Sequence, residues 1–294
     1  MTNTRRSYLF AGLAVFFWST IATAFKLALQ ELLPAQLLLI ASLTSVLVLS
    51  VISLLEGSFK KIFSLKRKDL LRSMLLGTLN PFIYYLVLLE AYNRLPAQVA
   101  QPLNMIWPIV LVFLSIPMLK QKVPPASFIA LFVSFIGVYL ISSQGKPFNP
   151  GESDALGVIL AVGSSIFWAL YFILNLKDSR GESQKLLLSF FFASIYISLL
   201  LLFNKGYSGF TLRGITAGIY VGIFEMGLTF FLWLKAMKLA DSSDKIANLV
   251  FLAPFLSLLF ISLILKENIH YTTLIGLLVI IGSIIYQKRL ERKS

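Results

Sequence analysis

Cysteine is absent from the 294-residue chain, histidine occurs once, and charged residues make up only 13% of it. Each shortage removes a class of function. Without cysteine there is no disulfide, no thiolate nucleophile and no cysteine-ligated metal. The lone histidine, His270, falls in a short connection between the last two apolar blocks, where a headgroup-level position suits it. Intramembrane hydrolysis or transfer needs clustered groups: a His-Glu-x-x-His pair, a serine with its base, or paired acids. Glu225 is the one acidic residue near the centre of an apolar block. The chain therefore does not read as an enzyme, and no cofactor or metal is expected. So little charge also cannot cover the surface of a soluble protein of this length.

What the chain has is apolar sequence in long blocks. Hydrophobic residues are 57% of the total and the mean hydropathy is +0.83. The blocks run roughly 18 to 23 residues, enough for a helix to cross a hydrocarbon core of about 30 Å. They must be helices, because lipid offers no partner to an unpaired backbone amide. A β-barrel would show short alternating segments instead. The expected spans are 8–28, 34–55, 70–90, 97–118, 126–143, 155–176, 185–203, 213–234, 246–265 and 271–287, giving an all-α polytopic membrane protein of about ten helices. Breaks fall at Pro34, Glu56-Gly57, Asn93 to Pro96, Pro124-Pro125, Gly145 to Gly151 and Asp241 to Asp244. Arg5, Arg6 and an Ala22-Thr23-Ala24 triplet imitate a signal peptide, but Trp18, Lys26 and the spans that follow fit a retained first helix.

The net charge of +13 would suit nucleic acid if it lay on one face, but the cations sit between the blocks. With the N-terminus inside, only Lys26, Arg94, Lys146, Lys205, Arg213 and Lys266 of the 26 basic residues fall outside. That asymmetry places both termini in the cytoplasm, in a bacterial inner membrane. Lys60 to Lys68 form a basic inside loop whose plain role is topology and contact with anionic lipid.

The chain also repeats itself. Residues 10–28 echo 157–178, with Trp18 opposite Trp168; residues 77–119 echo 222–265, with Pro108 opposite Pro254 and Ala91 opposite Ala236. Gly137 and Gly282 stand at similar distances beyond those prolines. Five spans per copy is odd, so the units 1–143 and 144–294 would enter the membrane from opposite sides. Such inverted repeats place a solute site near the midplane and expose it to each side in turn. A channel, the rival, would want polar rings from several helices or subunits.

Polar residues deep in a span usually face the bundle or a wet cavity. Glu225 lies near a midplane, where desolvation favours its protonated form unless a cation or donors offset it. It either carries a coupling proton, pairs with an amine, or serves as a structural hydrogen bond. The repeat sets Asn80, followed by Pro81, at the matching depth. Helical spacing adds Tyr84 to Asn80, Thr229 to Glu225, Tyr171 and Asn175 to Trp168, and Gln101 and Trp107 to Asn104. Trp18, Asn80, Tyr84, Asn104, Trp107, Trp168, Tyr171, Glu225 and Thr229 are therefore the expected substrate-binding set, while Tyr8, Tyr286 and Trp233 suit interfacial anchoring. Lys26, Glu31, Glu90 and Arg94 lie toward the outer surface, solvated or paired, with a gating ion pair as the sharper alternative. Gly218 and Gly222 form a GxxxG step that marks close helix contact, within one copy or between two.

Trp18-Ser19-Thr20 with Lys26, Asn104-Met105-Ile106-Trp107-Pro108, Ile166 to Tyr171 and Leu252-Ala253-Pro254 resemble the EamA branch of the drug/metabolite transporter superfamily over nearly the whole chain. The Trp-Ser-Thr, Asn-x-x-Trp-Pro and Trp-Ala-x-Tyr motifs are most similar to bacterial aromatic amino-acid exporters. The resemblance implies two five-helix repeats around a central cavity and secondary transport, commonly export, of small metabolites. Glu225 departs from the small or weakly polar residue expected there in the aromatic exporters. The expected partners are a small-molecule substrate, membrane lipid and, for coupling, a proton. Amino acids come first as substrate, and cationic metabolites, drug-like amines or nucleosides second. Monomer and homodimer fit equally.

Overall fold

A computed structural model describes residues 3–120, 126–148, 154–240 and 249–291. The Asp241 to Asp244 break, Pro124-Pro125, Lys122, Lys245, Arg292 and Lys293 lie outside these residues. The structure is all-helical in its regular elements: α1 Asn3–Leu29, α2 Pro34–Leu55, α3 Arg67–Gly77, α4 Tyr84–Arg94, α5 Ala97–Asn104, α6 Trp107–Leu119, α7 Ala126–Ser142, α8 Ala155–Leu176, α9 Glu182–Phe203, α10 Leu212–Val221, α11 Leu228–Leu239, α12 Ala253–Phe260 and α13 Tyr271–Glu291. Seven continuous or broken helical stretches are long and apolar enough to cross a membrane, and three shorter apolar helices accompany them among the described residues. α2 and α8 begin and end where the apolar blocks do.

Four spans are broken, and the sequence supplies the reasons. Pro81 lacks the N–H that a helix needs; α3 and α4 are joined by a wide turn, Thr78–Ile83, in which Asn80 is extended (φ −146°, ψ 120°). At the matching place in the second half, the wide turn Gly222–Gly227 joins α10 to α11. α5 and α6 meet at a turn over Met105 and Ile106, after which Pro108 occupies the second position of α6. Pro254 opens α12 in the same way, after the short turn Leu249–Leu252.

The chain divides into two compact units: Met1–Phe82 with Ser179–Leu265, and Ile83–Asp178 with Lys266–Ser294. They are not the sequential halves, since each takes helices from both. In the first unit α1 packs on α10, α11 and α12, and α2 packs on α9 and the Gly222–Gly227 turn. Gly218 and Gly222 make their close contact here, inside one copy: a Cβ on Gly222 would lie 2.6 Å from the Ala41 carbonyl oxygen. The antiparallel α2–α9 pair is tied at both ends by equivalent glutamines. Gln36 Nε2 donates to the Gly206 and Ser208 carbonyls (2.8 Å each), and Gln184 Nε2 donates to the Ser58 carbonyl (2.9 Å).

In the second unit α8 packs on α4, α5 and α6, and α7 on α13. The α7–α13 backbones nearly touch, since a Cβ on Gly276 would sit 2.6 Å from the Gly137 oxygen. The partner of Gly137 is therefore Gly276; Gly282 meets nothing, because it falls on another face of α13. Ser134 and Ser283 hydrogen-bond across the same pair. His270 stays outside the helices, its backbone N–H donating to Gln98 Oε1 (2.9 Å). Glu267 accepts from the N–H groups of Ala97 and Gln98 (2.9 and 3.2 Å), capping α5 from a distant loop.

Candidate functional site

In the second unit, α4, α5, α6 and α8 bring together five of the nine sequence-derived residues. Tyr84 O–H donates to Asn104 Oδ1 (3.2 Å), and Asn104 Nδ2 donates to Ser164 Oγ (2.7 Å). Ser164 in turn donates to the Ala161 carbonyl (2.7 Å). Asn104, 7% exposed, thus has both ends of its amide engaged, so it positions Tyr84 rather than standing free. The rings form a cluster around Trp168: Tyr84 at 5.0 Å between centroids, Tyr171 at 5.8 Å and Trp107 at 6.2 Å, with Trp107 also 6.1 Å from Phe172. Offset and edge-on rings at these separations attract beyond their buried area. Trp107 and Trp168 are only half-buried, leaving ring surface for a further partner.

The helical spacing does not survive at two places. The turn at Met105 and Ile106 separates Gln101 and Asn104 from Trp107, so these three do not share one regular face. Gln101 is buried, and its Oε1 has no hydrogen-bond partner among the described residues. Likewise the extended backbone at Asn80 ends the helix before Tyr84 begins α4, and the i, i+4 relation is lost.

The first unit holds the other four. Trp18 packs on Phe230 (5.8 Å) and Trp233 (5.3 Å), so Trp233 joins a ring cluster between helices. Beside it, Phe17, Phe224 and Tyr220 stack in sequence (4.6 and 4.7 Å), and the Tyr220 hydroxyl shares a hydrogen bond with Thr20 (2.7 Å). Glu225 is half-buried within the Gly222–Gly227 turn. That turn presses on α2, where Ser45 Oγ reaches the Gly222 carbonyl (2.9 Å) and Ala41 O (2.7 Å). Thr229 is fully buried and donates to the Phe224 carbonyl, one of the groups the wide turn frees. Its hydroxyl holds the turn that carries Glu225. Asn80 is 2% exposed, and its Oδ1 has no partner among the described residues.

At the helix ends, Arg94 pairs with Glu90 (2.7 Å) and with Asp154 (3.3 Å). Asp154 caps α8 by accepting the Gly157 N–H (3.0 Å). That cap, and then Arg94, hold its carboxyl below the usual aspartate range against a lesser opposing effect of desolvation. Ser164 was legible as the polar residue one turn before Trp168. Phe172, Phe230 and Trp233 carry no signal that separates them from other apolar positions.

The EamA-like transporter family model matches this chain twice, over residues 5–143 and 155–286. The chain belongs to the EamA-like transporter family. A protein of Clostridium kluyveri named an uncharacterized transporter is 30% identical over an alignment that covers 96% of this chain and 93% of that protein. The uncharacterized transporter YvbV of Bacillus subtilis is 27% identical over 97% of this chain and 92% of its own length. Protein PecM of Dickeya dadantii is 26% identical over 87% and 84%. A solved crystal structure superposes with a TM-score of 0.67 over 98% of this chain and 99% of that one; at 18% identity it shows a shared fold. As an EamA-like transporter the chain is an integral membrane protein that carries a small molecule in a lipid environment, in keeping with its Trp-Ser-Thr and Asn-x-x-Trp-Pro motifs.

Proposed function

We propose that this EamA-like transporter exports a small organic metabolite, with amino acids, the aromatic ones among them, as the first choice. It works by alternating access around a cavity near the bilayer midplane. Its two inverted five-helix repeats, 1–143 and 144–294, sit in a bacterial cytoplasmic membrane with both termini inside. The observation that carries the reading is the aromatic cluster of the half-buried Trp107 and Trp168 with the buried Tyr171 and Tyr84, tied to Asn104. Rings stack on an aromatic side chain or engage an ammonium group. Asn80 and Trp18 of the first unit are also assigned to substrate binding, and Glu225, on the turn that the Thr229 hydroxyl bonds at Phe224, is the coupling group. Wide turns and broken helices at Asn80 and Glu225 support this assignment, because irregular backbone at membrane depth is tolerated where it lines a cavity or is buried in protein.

Counterflow in proteoliposomes preloaded with phenylalanine, tyrosine or tryptophan tests the substrate, since trans-acceleration is the mark of a carrier. No exchange of any amino acid removes the first choice. Glu225 favours a second reading, in which its carboxylate receives a cationic metabolite, a drug-like amine or a nucleoside. Glu225→Gln is expected to lower transport at least tenfold and to abolish its pH dependence; a retained pH dependence excludes proton carriage by this residue.

A further inference from the structure

Among the basic residues of the first unit, those near the start of α9 are engaged with protein. Arg180 donates to the Asp69 carbonyl (3.2 Å) and Ser73 Oγ (2.8 Å), and Lys185 pairs with Glu182. The connection from α2 to α3 differs. Between Glu56 and Arg72 it holds six cations against two acids, and one of those acids, Asp69, accepts from the Lys66 backbone N–H (3.2 Å) to start α3. The side chains of Lys60, Lys61, Lys66, Arg67 and Lys68 make no hydrogen bond or ion pair with a described residue. Interleaved with them on a single 3₁₀ turn, Phe59–Ser64, are two phenylalanines packed edge to face (5.9 Å), of which Phe63 is 81% exposed. Exposed rings beside unpaired lysines suit the boundary between headgroups and acyl chains.

The same end of the unit leads to an apolar groove. Leu43, Leu47, Val51 and Leu54 form an exposed stripe along α2, and Phe191, Ile195, Leu199 and Leu202 form its counterpart on α9. The Gln36 and Gln184 ties fix the register, so Leu47 lies level with Ile195. Between the stripes is a cleft of about 280 Å³ lined by Leu43, Val46, Phe191, Ser194 and Leu199. The Ser194 hydroxyl is closed onto the Phe190 carbonyl (2.8 Å), leaving the cleft almost wholly apolar. From Val46 to the end of α2 at Leu55 is nine residues, or about 14 Å at 1.5 Å per residue, and a short link then leads to the 3₁₀ turn, a distance within the reach of a fatty acyl chain.

We propose that this face binds an anionic phospholipid, with the phosphate on the Lys60, Lys61 and Lys66 to Lys68 cluster and an acyl chain in the α2–α9 groove. Charge complementarity selects an anionic headgroup, and the groove selects a lipid over free phosphate.

The test measures thermal unfolding of the full-length protein in neutral detergent during titration with long-chain phosphatidylglycerol, phosphatidylcholine of the same chains, short-chain phosphatidylglycerol or inorganic phosphate. Long-chain phosphatidylglycerol is expected to raise Tm about 5 °C above phosphatidylcholine, and the difference should collapse near 1 M salt, where the Debye length is about 3 Å. Short-chain lipid and phosphate should give little. Replacing Lys60, Lys61, Lys66, Arg67 and Lys68 by Gln should remove the preference for phosphatidylglycerol and leave Tm in phosphatidylcholine unchanged. Val46→Phe should weaken the chain-length dependence alone. Equal Tm in the two long-chain lipids overturns the proposal, as does a Gln variant that keeps the preference or a full shift with phosphate. If the Gln variant does not fold, native mass spectrometry of the unaltered protein decides: retention of phosphatidylglycerol over phosphatidylcholine supports the site, and equal retention refutes it.

Discussion

The surroundings of Trp18 and of Trp168 are two versions of one packing solution. Each tryptophan sits on the first helix of its half and meets rings from a third helix that has just passed a wide turn: Phe230 and Trp233 for Trp18, Tyr84 for Trp168. The polar content differs. Around Trp168 a closed chain of hydrogen bonds runs from Tyr84 through Asn104 to Ser164, all deeply buried. On the helices around Trp18 the polar groups include a Thr20–Tyr220 pair and the half-buried Glu225. Prolines and glycines at the breaks preserve a backbone, while the side chains beside them are free to diverge. The second unit thus offers shape and fixed dipoles, and the first offers an ionisable group.

Five substitutions sharpen or break this contrast. The largest expected effect is from Trp168→Ala, which removes contacts with Tyr84, Trp107 and Tyr171; a loss of about 3 kcal/mol is expected from the cost of large-to-small core changes. Trp18→Ala, with two ring partners, should cost less in the same unfolding assay, and equal losses would show that the clusters are energetically alike. Next, Asn104→Leu breaks two buried hydrogen bonds at similar volume and should cost about 2 kcal/mol. A double-mutant cycle with Tyr84→Phe should then show coupling, and strict additivity would deny that the pair acts together. Thr20→Val in the other unit removes a bond in a less buried place, and about 1 kcal/mol is expected.

The smallest effect is from Asp154→Asn. Because the Asp154 carboxyl titrates below the usual aspartate range in the folded protein, its contribution to stability is present at neutral pH and disappears as pH falls through that lowered titration. The variant should melt slightly below the parent at pH 7, and the gap should close in acid. A gap that widens in acid contradicts the cap.

Much of the fold was legible in the chain. Apolar block length alone placed α2 and α8, because a helix in lipid has no other way to satisfy its backbone. Pro81 and Pro108 lay inside expected continuous spans, and the structure interrupts the helix beside each, because proline lacks the N–H that an unbroken helix uses. The candidate residues were legible as types but not as neighbours. Counting by four put Tyr84 with Asn80, and the extended backbone at Asn80 interrupts that helical phase before α4 begins. Trp233 read as an anchor, since nothing in its own segment reports Trp18 more than two hundred residues away.

The sequence by itself determined that this protein is a helical membrane transporter of the EamA-like family and where its apolar helices fall along the chain. Those features follow from hydrophobicity, backbone hydrogen bonding and proline geometry, which act over a few residues. Only the tertiary structure decided that Gly137 meets Gly276, that Asn104 joins Tyr84 to Ser164, and that each compact unit draws helices from both halves. Contacts of that kind depend on which helix faces pack, and packing is settled by shape complementarity between distant segments rather than by any one of them.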